Sequence, residues 1–264
     1  DGAAGLGNSG VVIAVLQNVN AADLVAANFS PAYPPDGSDP IPQTLTGTDL
    51  VDNLVGGFGA DTISGLGGND VIDGGAGNDV VYAGLDDDQV AGNFGNDTLY
   101  GEDGNDNLSD DQGSNTLEGG AGSDILNARS LTGNQTLIGG SGSDTLIASG
   151  VLVNLDGGDD SDNLSATGQI WQNNSTSLVE NGSATLFGGV GAWADYLNVD
   201  SYTTAGLSGG DGNDYLNAYD SRTVTMHGDA GNDNLNANYI RNSSLYGDAG
   251  DDSLSVNIGG GAGT

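Results

Sequence analysis

The sequence predicts an all-β chain wound into a solenoid of stacked coils, and three observations predict it. From Gly47 to Asn127 the chain divides into consecutive nine-residue units without a gap. The sixth position of these units is aspartate with one exception, Asn115, and the eighth is always aliphatic. Much of the rest is Gly, Asn, Asp and Ser. Self-similarity at a short fixed period marks an architecture in which each unit buries its apolar residue only by stacking on the next.

The strand comes from the end of each unit. In "GLGGNDVID" (65–73) and "GGAGNDVVY" (74–82) one apolar side chain, Ile72 or Val81, is flanked by residues that point the other way. This predicts a three-residue strand. The six preceding residues predict a turn, because Gly accepts positive φ and Asn and Asp enter the left-handed region more readily than most. Two strands and two turns make a coil of 18 residues, twice the nine-residue unit. Successive coils stack as parallel strands roughly 4.8 Å apart. The predicted inner ladders run through Leu54, Ile63, Ile72, Val81, Val90, Leu99, Leu108, Leu117 and Leu126. Past Asn127 only every second unit keeps the aspartate turn, as in "GGSGSDTLI" (139), "GGDGNDYLN" (209) and "GDAGDDSLS" (247). The acid-poor segments between them still supply Leu137, Leu155, Leu186, Leu207, Met226 and Leu245 at the matching beat.

Charge decides what such turns need. The chain of 264 residues has 37 acidic residues against three basic ones, Arg129, Arg222 and Arg241, for a formal net charge of −34. Only Glu102, Glu118 and Glu180 are glutamates. So strong a preference for the shorter acid points to a geometric task close to the backbone. The acid excess argues against nucleic acid and anionic membrane as partners and leaves cations. With no cysteine there is neither a disulfide framework nor a thiolate metal site. Stacked turns bring carboxylates to ~5 Å, where unit charges repel by about 0.8 kcal/mol in water and by more at a lower effective dielectric. Hard carboxylate and carbonyl oxygens suit calcium, multiple ions between stacked turns; magnesium, which prefers a tight octahedron with its own waters, fits less well.

These units resemble the calcium-binding nonapeptide G-G-x-G-x-D-x-U-x of the RTX (repeats-in-toxin) family. The resemblance spans roughly Gly47 to Ser255. It implies a parallel β-roll, a right-handed β-helix-like solenoid, with calcium held by position-six aspartates and turn carbonyls. Carried over by position, one metal-binding column is Asp52, Asp70, Asp88, Asp106, Asp124, Asp144, Asp162, Asp195, Asp214, Asp233 and Asp252. The other is Asp61, Asp79 and Asp97, followed by Asn115. Three units depart from the pattern: "AGLDDDQVA" lacks most of the glycines, Asn115 lacks the charge, and "AWAD" replaces the small residues before Asp195. The resemblance also implies folding coupled to calcium, hence bacterial secretion in an unfolded state and an extracellular or cell-surface location.

Outside the repeat, all five prolines fall between Pro31 and Pro42. They predict an extended linker (31–43) between an N-terminal arm (1–30) and a roll (44–264) with an insertion at 166–187. The arm carries "GVVIAVLQNV", which predicts a strand that either caps its own roll or is donated to a neighbour. "VVIAVL" is too short to span a bilayer and lacks the basic flank of a signal peptide. A chain without an initial Met is expected to be a processed product or a fragment. After Ser255 no helix or charged strand is foreseen to cap the last coil, so its edge is open to another chain. A donor strand in residues 11–19 and a bare C-terminal edge predict a head-to-tail homo-oligomer, a filament or surface layer. The alternative is a calcium-binding segment of a larger secreted adhesin, toxin or exoenzyme.

No enzyme is expected. "GLSGG" (206–210) matches G-x-S-x-G, and His227 lies one coil from Ser208. However, that motif works at a strand-to-helix turn, and the repeat places Ser208 as an outward strand residue.

Overall fold

The computed structural model describes residues 41–130, 132–171 and 179–258. The arm, including residues 11–19, and most of the linker lie outside the described residues. What is described is a parallel β-roll without a helix, built as two 11-stranded sheets. The chain alternates between them at every half coil. One sheet begins at Thr44–Thr46 and ends at Asn242–Tyr246; the other begins at Asn53–Phe58 and ends at Ser253–Asn257.

Register follows the nine-residue unit. In the first sheet Leu45 pairs with Ile63, then Val81, Leu99 and Leu117, each 18 residues on. Leu137, Leu155, Leu186, Leu207, Met226 and Leu245 continue the same row. In the second sheet Leu54, Ile72, Val90, Leu108 and Leu126 lead on through Leu146 to Leu254. Away from the two ends of the roll these side chains are fully buried, so the core is a thin seam between two facing ladders.

Two features differ from the sequence pattern. First, the strands are longer than three residues. Asn53–Phe58 and Val71–Ala76 run through the glycines that follow, because Gly57 and Gly75 still pair although both have positive φ. Second, the core has a second rung. Ala128, Ala148, Ala166, Val199, Ala218 and Ala237 form a buried row two residues beyond the leucines of the second sheet.

Around residues 166–187 the coils reach further than the rhythm suggests. Asn163–Thr167 and Ser183–Val190 are strands of the roll, with Ala166, Ala184 and Leu186 buried. Between them an antiparallel hairpin pairs Gln169–Trp171 with Val179–Asn181. This excursion changes no face: Leu164 pairs with Leu197 across it. Among the described residues no helix is long and apolar enough to cross a membrane.

The ladder makes a graded prediction. Leu108→Ala, at a fully buried rung, should destabilise the calcium-loaded roll by about 2–5 kcal/mol. Leu254→Ala, on a strand of which Leu254 is 47% exposed, should cost much less. Denaturant unfolding of both variants in calcium buffer measures the difference.

Candidate metal centre

Each repeat aspartate is fixed by the backbone of the coil before it. The amide of Asp52 donates to Oδ1 of Asp70 at 2.7 Å, and that of Asp70 donates to Oδ1 of Asp88 at 2.6 Å. The chain of contacts continues through Asp106, Asp124, Asp144, Asp162, Asp195, Asp214 and Asp233 to Asp252. On the opposite side it runs from Gln43 to Asp61, Asp79, Asp97 and Asn115. The structure thus gathers the predicted aspartates into two files, one the length of the roll and one confined to its first coils.

The second carboxylate oxygen is left over. Oδ2 of every one of these aspartates except Asp52, Asp195 and Asp252 is buried without a hydrogen-bond partner. Buried polar atoms are otherwise almost always paired, and an unpaired charged one is costly. No basic residue answers the files: the one ion pair among the described residues joins His227 and Asp248 at the surface.

The glycine that opens each unit explains what surrounds that oxygen. Gly65 needs no special φ, but a Cβ on it would lie 2.3 Å from Oδ2 of Asp70 and 2.2 Å from the carbonyl oxygen of Ala83 one coil on. Gly56, Gly101, Gly139 and Gly157 show the same pairing of their own aspartate's Oδ2 with a carbonyl of the next coil. Carboxylate and carbonyl oxygens therefore converge where a side chain would otherwise stand. This all-oxygen donor set with surplus negative charge fits calcium. The aspartate Oδ2 atoms and turn carbonyls would hold the ions, which would supply the missing positive charge between coils.

Burial raises the affinity of these carboxylates for protons. It pushes Asp79, Asp88 and Asp195 up to about 6, Asp106, Asp144 and Asp214 up to about 7, and Asp162 up to about 8. The amide hydrogen bonds to Oδ1 oppose the rise. Carboxylates one coil away reinforce it for Asp79, Asp88, Asp106, Asp144, Asp162 and Asp214.

The short file ends through a graded change of residue. Asp97 is followed in register by Asn115, Gln135, Val153, Ala184, Ala205 and Val224. Asn115 keeps the Oδ1 contact, at 3.0 Å to the Asp97 amide, while its Nδ2 donates to the Gln112 carbonyl. Gln135, fully buried, donates from Nε2 to the Gly113 carbonyl at 2.9 Å. Beyond it this side is packed by apolar side chains, with Tyr202 and Ile240 buried in the turns. Sequence reasoning found where the aspartates stop but missed what replaces them, since the matching residues are reached only across coils of unequal length.

Ser208 and His227 face each other on adjacent strands, yet they do not hydrogen-bond as a nucleophile and base would. The Ser208 hydroxyl contacts Oδ2 of Asp229, and His227 Nδ1 lies 2.9 Å from Oδ2 of Asp248. Ser208 ends a strand, not a strand-to-helix turn. The donor atoms of His227, Asp229 and Asp248 lie within 4.8 Å of one another, a surface cluster the sequence did not signal.

Two outcomes are expected. A folded metal-free roll retains protons up to about pH 6–8, whereas the unfolded chain releases them near 3.8. Stability without metal is therefore fully present below the unfolded value and is lost as pH rises through 6 to 8. Circular dichroism in chelator should show more sheet at about pH 5.5 than at about pH 8. Separately, Gly65→Ala should weaken calcium binding by about 10–100-fold. Gly206→Ala, whose Cβ would meet nothing within 4 Å, should leave it unchanged; calorimetric titration reads both.

The family model described as RTX calcium-binding nonapeptide repeat (4 copies) matches residues 46–81, 65–99, 82–109, 100–130, 131–150 and 207–221. No curated protein and no solved structure matches the chain. RTX repeat proteins are calcium-binding and typically secreted from bacteria. The matched repeats, residues 46–150 and 207–221, are of the RTX calcium-binding family.

Proposed function

We propose that this chain is a secreted bacterial structural protein that folds on calcium and assembles head to tail into a filament or surface layer. Calcium sites of extracellular modules act at about 10⁻⁴–10⁻³ M, so the aspartate files would stay unfilled, and the roll unfolded, until export.

The observation that carries assembly is the final described strand. Among the described residues Ser253–Asn257 pairs on one side only, with Asn234–Asn238. Leu254 and Val256 are exposed by 47% and 48%, where their counterparts Leu235 and Ala237 one coil earlier are buried. An unpaired strand edge with an uncovered apolar rung is a template for another strand. A second copy of this chain supplies matching chemistry, through residues 11–19 or the first coil at Thr44–Thr46. As a head-to-tail contact it propagates unless it closes into a ring. The second reading, a calcium-binding segment of a larger secreted adhesin, toxin or exoenzyme, rests on the same family match.

Electron microscopy of the purified protein in chelator and then in millimolar calcium tests the proposal. Fibres or sheets that appear only with calcium, and vanish when residues 1–30 are deleted, are expected. Single compact rods in calcium would overturn assembly and favour the segment reading.

A further inference from the structure

The unit "DDQGSNTLE" (110–118) departs from the repeat twice, and the two departures compensate each other. Its sixth position is Asn115, which offers no second carboxylate oxygen. Its first position, glycine in most units, is Asp110. Asp110 is 1% exposed, at the end of strand Asn107–Asp110. The amide of Gln112 donates to its Oδ1 at 3.0 Å, and its Oδ2 is buried without a partner.

That free oxygen points into the gap between coils. A Cβ on Gly92 would lie 2.2 Å from Oδ2 of Asp110 and 2.8 Å from Oδ2 of Asp97. At the equivalent points above Gly56 and Gly74, the next coil contributes a backbone carbonyl, of Gly74 and Gly92 respectively. Above Gly92 it contributes a carboxylate instead. Two carboxylate oxygens with no partner other than each other thus converge at the end of the short file, with no basic residue in contact with either.

We infer that Asp110 is a calcium ligand: with Asp97 it completes the last site of the short file, supplying from position one the carboxylate that Asn115 withholds at position six. The inference rests on the calcium reading of the files and adds to it a ligand from outside the repeat's aspartate position. It also accounts for Asn115. An aspartate there would add another carboxylate beside Asp97 and Asp110, whereas the amide keeps the Oδ1 hydrogen bond and ends the charge.

Equilibrium dialysis of the full chain at saturating calcium, with bound calcium counted by atomic emission, tests this. Asp110→Gly should bind at least one ion fewer than the parent, while Asp111→Asn, at the exposed neighbour, should bind the same number. The double variant Asp110→Gly/Asn115→Asp, which restores the repeat consensus, should regain the parent's number. If Asp110→Gly binds as many ions as the parent, or the double variant binds one more, Asp110 is no ligand and the inference is overturned. Should Asp110→Gly fail to fold, the double variant alone decides. A parent chain that takes up no calcium would instead overturn the reading of both files.

Discussion

A carboxylate oxygen with no partner, buried at the same point of coil after coil, is the constraint on which this roll depends. The amide of one aspartate is satisfied by Oδ1 of the next, which fixes each carboxylate to within a hydrogen bond and leaves Oδ2 aimed into the gap between turns. The contact therefore orders the turn and creates its difficulty together. Like charges held in register at the strand spacing must acquire protons or share cations. The opening glycines admit no side chain there, so the space is kept for an ion and lined only with oxygen.

The core is shaped by that arrangement. A seam one leucine deep, with an added alanine rung on part of its length, buries little apolar surface for a chain of this length. It is thicker where one side is closed by packing, as around Tyr202, Val224 and Ile240, which are buried. The first coils have no such side: aspartate files flank their seam on both edges. The roll thus divides into a portion with aspartate files at both turns and a portion with a file at one. Asn115 and Gln135 form the transition, each exchanging a charge for an amide that bonds a backbone carbonyl, of its own turn for Asn115 and of the coil before for Gln135.

Much of this is legible in the sequence because the repeat has a strict period. Aspartate at the sixth beat and an aliphatic at the eighth specify coil length, inward side chains and the two files, and the strand register agrees from Leu54 to Leu126. What escaped has physical causes. Strand length was underestimated because Gly57 and Gly75 read as turn residues, yet glycine at positive φ can remain paired to the coil above. The alanine rung was overlooked because alanine marks no period by itself. Asp110 was overlooked because reading by position seeks the carboxylate at the sixth beat, whereas an ion responds only to where the oxygen arrives. The edges of the 166–187 insertion were set by lost rhythm, but Ala166, Ala184 and Leu186 stay in the ladder.

Amide hydrogen exchange at neutral pH, resolved by peptide and compared between calcium and chelator, tests the central claim most directly. The account predicts strong protection across both portions in calcium. In chelator, protection should be lost throughout residues 47–115 and lost less, or at lower chelator, across residues 183–246. Undiminished protection of residues 47–115 in chelator would contradict it, because the aspartate files would then be stable without any cation.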